Sequence, residues 1–123
     1  LALLDEAVQR SPTAAALTAR ASLYRTLGRN QEAEHDLQAA REQTPGSVTV
    51  LVALGDFYRA QGDTARARQL YEEATVLMPG VPTGYLRLGD LANEQGNQEE
   101  AQQYADAARA AEPGALVRPD STP

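Results

Sequence analysis

The apolar positions in the middle of the chain recur with the spacing of an α-helix. Leu51, Leu54 and Tyr58 are separated by three and four residues, so they share one face of a helix predicted over 48–61. A second helix is predicted over 64–77, and its apolar face carries Ala67, Leu70, Tyr71, Ala74 and Leu77.

Turn-forming residues separate and end these two helices. Gly62 suits the left-handed conformation that commonly closes a helix, and Asp63 is suited to accept N–H groups at the start of the next one. Pro79 ends the second helix because it has no N–H to continue the hydrogen-bond ladder. Residues 48–81 therefore form a predicted helix–turn–helix unit, with a first helix A and a second helix B.

The same unit returns every 34 residues. Three columns repeat at that spacing without a gap: Gly28, Gly62 and Gly96; Ala33, Ala67 and Ala101; Pro45, Pro79 and Pro113. Agreement of independent columns in one register indicates an internal repeat. The repeats run over 14–47, 48–81 and 82–115, and they predict helices over 14–27, 30–43, 48–61, 64–77, 82–95 and 98–111.

The two ends of the chain differ from these units. Residues 1–13 are interpreted as a partial repeat, the end of a helix B, because Leu4, Ala7 and Pro12 nearly reproduce the later spacing. Residues 116–123 are predicted to form a flexible tail. The chain opens in helical register without Met, so we expect it to be a fragment of a larger protein.

Composition supports an all-α chain and argues against several classes of function. The 123 residues include no Cys, Ile, Lys or Trp, and all 11 basic residues are Arg. Without Cys there is no disulfide framework and no thiolate chemistry. The net charge of −6 and the absence of Lys argue against nucleic-acid binding, because phosphate contacts are mostly cationic. No apolar run approaches the roughly 20 residues of a membrane-spanning helix, so no membrane insertion is expected.

The residues that most often carry chemistry do not converge in this sequence. His35, the single histidine, stands between Glu34 and Asp36 on a predicted helix, where neighbours point about 100° apart. The pairs Glu72-Glu73 and Glu99-Glu100 diverge for the same reason. Acid–base catalysis needs groups that meet on one substrate. We therefore expect no enzyme activity, no cofactor and no metal site, and we expect His35 to lie exposed on the surface.

The period and its signature residues resemble the tetratricopeptide repeat (TPR). The middle unit matches most closely, with Leu54-Gly55 and Tyr58, then Ala67 and Tyr71, then Pro79; it has Leu51 where the family often has Trp. The first unit departs further, because Arg20-Ala21 replaces the Leu-Gly pair. The resemblance covers about 110 residues. It implies an α-solenoid of antiparallel helix pairs, the TPR superhelix, with three full repeats and a partial N-terminal one.

The resemblance also implies where a partner docks, because helix A of each TPR unit lines a concave groove. The positions carried over to this chain are Thr18, Ser22, Arg25, Thr49, Val52, Asp56, Arg59, Thr83, Leu86, Asp90 and Asn93. Arg25 and Arg59 are one period apart, as are Asp56 and Asp90, which predicts a cationic row beside an anionic row. A solvated face on which the rows only neutralise each other is the alternative. Reversing Arg25 and Arg59 to Glu is expected to weaken binding while stability barely moves.

One TPR subclass grips the C-terminal carboxylate of chaperones through a clamp of Lys, Asn and Arg. At the matching places this chain has Thr18, Ser22, Ala53 and Thr83, and only Arg87 agrees. Membership of that subclass is therefore disfavoured.

Adjacent residues of helix A are predicted to face opposite environments. Gly55 falls on the core face, so Gly55→Leu should destabilise strongly, by roughly 2 kcal/mol or more, through overpacking. Asp56 faces the groove, so Asp56→Asn should cost little.

Several functions remain open on this fold. We expect a non-catalytic scaffold that binds a protein or peptide in the helix-A groove. The alternatives are a periplasmic scaffold segment of a bacterial exopolysaccharide-export or secretion protein, a regulatory appendage of an enzyme, or self-association through the repeat ends. The compartment, bacterial periplasm or cytoplasm, is not fixed by these residues.

Overall fold

The structure, a computed structural model, describes residues 1–111. Within them the chain forms seven α-helices and no strand. The helices are α1 (Ala2–Arg10), α2 (Ala14–Thr26), α3 (Asn30–Gln43), α4 (Val48–Ala60), α5 (Thr64–Leu77), α6 (Thr83–Glu94) and α7 (Gln98–Ala111). All six helices predicted for the full repeats are confirmed, with ends within one or two residues. The predicted tail over 116–123 lies outside the described residues.

Consecutive helices pack against one another, and the array has an inner side. Close backbone contacts join α2 to α4 and α4 to α6, whereas none joins α3 to α5 or α5 to α7 within residues 1–111. Helices on the inside of a curved stack of repeats lie closer together than those on the outside. The A helices α2, α4 and α6 therefore form the inner face, and the B helices α3, α5 and α7 form the outer face.

Each of the three turns between an A helix and a B helix contains a glycine with a positive φ angle. Gly28, Gly62 and Gly96 have φ values of 76°, 84° and 76°, the left-handed region that glycine occupies at no steric cost. The residue after the glycine then serves the next helix in two of the repeats. Asp63 accepts the backbone N–H of Arg66, and Asn97 accepts that of Glu100. Because these glycines and capping residues are visible in the sequence, the ends of the helices can be predicted from it.

The core is concentrated in the middle repeat. Its largest fully buried side chains are Tyr71, Leu51 and Leu54, followed by Leu88 and Leu91 of α6. The two ends of the described chain are weaker. Helix α1 has no buried residue, and the buried residues of α7 are all alanines: Ala101, Ala108 and Ala111.

Gly55 of α4 lies directly against the side chain of Tyr71 on α5. A Cβ placed on Gly55 would lie 2.5 Å from Cε1 and 2.9 Å from Cδ1 of Tyr71. The side chain of Tyr71 is fully buried, and its ring packs directly over Gly55. The predicted core face of α4 is confirmed, because Leu51, Leu54 and Tyr58 are buried with Gly55.

The first repeat contains a buried ion pair. Asp36 on α3 is 1% exposed, and Arg20 on α2 donates from Nε and Nη2 to its two carboxylate oxygens, both at 2.8 Å. Arg20 also donates to Asp5 of α1 at 3.1 Å. These bonds raise the pKa of the Arg20 guanidinium, chiefly through the bond to Asp36. The neighbouring His35 is exposed, as expected from sequence.

Candidate partner-binding groove

The inner face is an open groove, and we use the word groove for the surface of α2, α4 and α6 on that side. All eleven residues expected there lie on these three helices. Five of them are exposed: Ser22, Thr49, Leu86, Asp90 and Asn93. Thr18, Arg25, Asp56, Arg59 and Thr83 are half-buried.

Val52 does not offer its side chain to a partner, which corrects the expectation for this residue. It is 7% exposed and belongs to the main core cluster. Leu86, one period later, is 48% exposed. The two positions differ in their surroundings: α4 contacts an A helix on both sides, α2 and α6, whereas α6 contacts only α4 among the described A helices.

An apolar hollow of about 490 Å³ opens between the N-terminal halves of α2 and α4. Small residues make its floor because short side chains leave room between the two helices. It is lined by Ala14, Ala15, Thr18, Ala19, Ser22, Ser47, Thr49 and Val50. We call it the apolar hollow.

A polar hollow of about 320 Å³ follows at the other end of α2. It is lined by Ser22, Arg25, Thr26, Asn30, Ala60 and Gln61. A third, smaller hollow lies beside Thr18, Ser22 and Arg25 and extends to Asp56. Ser22 borders all three, so these neighbouring hollows together make up a depression along α2. We call the polar end the Arg25 hollow.

Asp56 is tied into the fold more tightly than sequence indicates. The hydroxyl of Tyr71 donates to Asp56 Oδ1 at 2.5 Å, and Arg87 Nε donates to the same oxygen at 3.0 Å. Burial, and then the hydrogen bond to Asp56, raise the pKa of Tyr71 well above its usual value. Because these two bonds hold α4 to α5 and α6, we expect Asp56→Asn to cost more stability than the sequence alone indicates.

Arg59 is likewise engaged across a repeat boundary. Its Nη2 donates to Glu94 Oε2 at 2.6 Å, and its Nη1 lies 3.9 Å from Asp90 Oδ2. The bond to Glu94 raises the pKa of the Arg59 guanidinium. Arg59, one member of the predicted cationic row, is therefore already paired with carboxylates of α6. Arg25 differs, since its guanidinium forms no ion pair within residues 1–111.

The outer face carries a second depression, of about 450 Å³, between α3 and α5. Tyr58 lies at its base, where its hydroxyl donates to Glu34 at 2.6 Å and accepts from Gln38 at 3.0 Å. Burial is the main cause that raises the pKa of Tyr58. Sequence reasoning missed this depression, although Glu34 and Arg66, which both line it, show opposite charges 32 residues apart.

That spacing recurs along the B helices. The ion pairs Glu34–Arg66, Arg41–Glu73 and Arg68–Glu100 each join residues 32 apart, at 3.9, 2.8 and 3.4 Å. On the A helices the pairs Asp56–Arg87 and Arg59–Asp90 join residues 31 apart. Charge pairs thus link successive repeats on both faces.

Residues 1–111 contain no cluster of three or more His, Cys, Asp or Glu side chains arranged to hold a metal ion. No helix among them is long and apolar enough to cross a membrane.

Family models described as tetratricopeptide repeat match nearly the whole chain. One matches residues 1–48 and again 18–82, and a second matches residues 58–118. None of the curated protein sequences compared matches the chain.

Solved structures of several helical-repeat proteins are similar to this one. A crystal structure of MamA matches with a TM-score of 0.74 and 24% identity over 88% of this chain and 64% of the MamA chain. The Cut9 and Hcn1 hetero-tetramer of the APC/C matches with a TM-score of 0.77 and 22% identity, over 88% of this chain and 21% of the other.

A third similar structure is the type III secretion translocator chaperone SycD of Yersinia enterocolitica. The TM-score is 0.74 and the identity 18%, over 98% of this chain and 87% of SycD. At these identities the likeness concerns the fold. The chain spans 64% of the MamA chain described above and 21% of the chain matched in the Cut9–Hcn1 structure.

Proposed function

The chain belongs to the tetratricopeptide-repeat family, and we propose that it is a non-catalytic scaffold that binds a segment of a partner protein in the groove. Repeat arrays of this kind use curved, extended surfaces for binding. The partner is a protein or peptide, and the groove residues that contact it are those left open on α2, α4 and α6.

One observation carries the proposal: three neighbouring hollows make up a depression along α2, and Ser22 borders all of them. An extended peptide fits such a depression, because its side chains alternate and enter separate recesses. The apolar hollow suits an aliphatic side chain, and the Arg25 hollow suits a polar one. Asp56 and Arg59 contribute less to recognition, because they already pair with Arg87 and Glu94 of α6.

The test places a bulky side chain of the protein itself where the three hollows adjoin, so that it blocks the peptide. Peptides selected from a random library on the full chain would be measured against Ser22→Trp, which places an indole where the hollows meet. His35→Trp is the matched control, since it adds the same side chain at an exposed position of α3 on the outer face. We expect Ser22→Trp to weaken binding at least about tenfold, or 1.4 kcal/mol, and His35→Trp to leave it unchanged.

Equal loss in both variants, or loss in His35→Trp alone, would place the peptide on the outer face and contradict the proposal. Thermal unfolding of both variants shows whether the fold survives. This pair is preferable to reversing Arg25 and Arg59 together. Arg59→Glu breaks the bond to Glu94 and adds a like charge beside Asp90, so stability would change along with binding.

A further inference from the structure

Two arginines of the groove occupy equivalent positions in successive repeats, and within residues 1–111 only the second of them has a carboxylate partner. Arg25 and Arg59 are one 34-residue period apart, on α2 and α4. Arg59 pairs with Glu94 at 2.6 Å and approaches Asp90 at 3.9 Å. One period earlier, the residues that correspond to Asp90 and Glu94 are Asp56 and Ala60. The first of these is a carboxylate and the second is a methyl group.

Neither of these two residues pairs with Arg25. Asp56 lies beyond ion-pair distance and accepts hydrogen bonds from Tyr71 and Arg87 instead. Ala60 has no charge to offer, and it lines the Arg25 hollow together with the guanidinium. The Arg25 hollow is therefore equivalent to the place that the Glu94 side chain occupies one repeat later. In the first repeat no carboxylate of the described residues fills that place.

We propose that the Arg25 hollow binds a carboxylate side chain, Asp or Glu, of the partner peptide. The inference rests on the proposed function and names the chemistry of its ligand. The partner's carboxylate pairs with Arg25 as Glu94 pairs with Arg59. Such a pair is charge-assisted, because the planar guanidinium donates hydrogen bonds to carboxylate oxygens. Asn30 and Gln61 border the same hollow, and their side-chain amides supply further N–H donors.

The charge of the chain limits how acidic the partner segment is. At a net charge of −6 the protein repels a run of acidic residues at long range. A single carboxylate in an otherwise neutral, apolar segment avoids most of that repulsion and still gains the contact with Arg25.

The apolar hollow fixes the spacing of the motif. Thr18 and Arg25 are seven residues apart on α2, which is about 10 Å at a rise of about 1.5 Å per residue. An extended peptide covers about 10 Å in about three residues. Because only every second side chain of an extended peptide faces the groove, the recognised segment carries an aliphatic residue two or four positions from the Asp or Glu.

The test supplies the missing carboxylate from the chain itself. Ala60→Glu introduces at this position the side chain that Glu94 provides one repeat later, so it should occupy Arg25 and compete with the peptide. Ala60→Gln has nearly the same size without the charge and is the matched control. The probe is the peptide selected on the full-length wild-type chain, together with a copy in which its acidic residue is replaced by the corresponding amide.

We expect the selected peptides to share an acidic residue at one position. Arg25→Gln, Ala60→Glu and the amide copy of the peptide should each weaken binding at least about tenfold, and Ala60→Gln should weaken it less than about threefold. Selected peptides without an acidic residue, or equal binding to the Ala60→Glu and wild-type chains, would overturn the inference.

The Ser22→Trp variant separates the two proposals. Binding that is lost in Ser22→Trp and retained in Ala60→Glu keeps the groove as the docking site and rejects the carboxylate. Binding that survives both substitutions rejects both. If Ala60→Glu instead converts a wild-type dimer to a monomer, the hollow is filled by a second copy of the chain, and the proposed partner is wrong.

Discussion

Arg20 and Asp36 form their buried ion pair at the two positions that Leu54 and Leu70 occupy one repeat later. Leu54 and Leu70 are both buried in the core. The first repeat has therefore replaced two apolar side chains by two opposite charges that satisfy each other. Because Asp36 is 1% exposed, its carboxylate depends on Arg20 for compensation.

Arg20→Leu should strongly destabilise the protein, and adding Asp36→Leu should reverse most of the loss. The single substitution leaves a buried carboxylate unpaired, a change that typically costs about 3–5 kcal/mol. The double substitution recreates the Leu pair of the second repeat, and such replacements are often neutral or stabilising. Urea denaturation of the three proteins measures the difference. A double variant as unstable as Arg20→Leu would show that the first repeat cannot accept the apolar pair.

Gly55→Ala and Gly89→Ala should have opposite effects, although the two glycines occupy the same position in successive repeats. An added Cβ at Gly55 meets the buried ring of Tyr71 at 2.5 Å, so we expect a loss of about 1–3 kcal/mol through overpacking. At Gly89 the nearest atom is Tyr104 Cβ at 3.5 Å, an ordinary contact. There the helix propensity of alanine should stabilise by up to about 1 kcal/mol.

Unfolding free energies of the two variants decide this prediction. The first repeat already has Ala21 at the equivalent position, which shows that the repeat accepts a Cβ where the facing residue allows it. Equal effects at Gly55 and Gly89 would mean that the ring of Tyr71 moves aside at little cost.

The fold was predictable from the sequence because the signals that define it are local. Gly28, Gly62 and Gly96 mark the turns, and the apolar spacing of Leu51, Leu54 and Tyr58 marks the buried face. Each of these acts within one or two helical turns. Their repetition at a constant period then fixes the helix ends to within one or two residues.

The electrostatics of the groove was not predictable in the same way. Which charges meet depends on the rise and rotation between repeats, and the period alone does not give these. Arg59 reaches Glu94, 35 residues away, rather than remaining free in a row with Arg25. Val52 is buried because a neighbouring A helix lies on each side of it, a relationship that no local pattern encodes.

Alkaline pH should weaken the fold partly through Tyr71. Burial and the bond to Asp56 raise its pKa in the folded protein, whereas an unfolded tyrosine ionises near pH 10. The stability from this phenol is complete below that pH. Above it the unfolded chain releases a proton that the folded chain retains, so the unfolding free energy falls by about 1.4 kcal/mol per pH unit.

Tyr71→Phe should therefore give a shallower decline between about pH 10 and pH 11, although it is less stable at neutral pH because the bond to Asp56 is lost. Urea denaturation across this range supplies the slopes. The remaining decline is expected from Tyr58 and Tyr104, whose pKa values burial also raises. Identical slopes in the two proteins would mean that Tyr71 ionises as readily in the folded chain as in the unfolded one.

Amide hydrogen exchange should be slowest in α4 and faster toward both ends of the described chain. Helix α4 buries seven residues, including Leu51, Leu54 and Phe57, and it contacts an A helix on either side. Helix α7 buries three alanines, and α1 buries no residue. Since hydrophobic stabilisation scales with the apolar area removed from water, these two helices gain the least from packing.

Stacked repeats behave as neighbouring units, each stabilised by its own contacts and by those at its interfaces. The terminal helices should therefore open without unfolding the middle repeat, and their amides should exchange through openings of lower free energy. Ala108→Gly tests the coupling, because it weakens α7 by about 1 kcal/mol through helix propensity and also removes a buried methyl group. We expect it to speed exchange in α7 and leave that of α4 unchanged. If exchange in α4 accelerates equally, the array unfolds as one cooperative unit and the stepwise account fails.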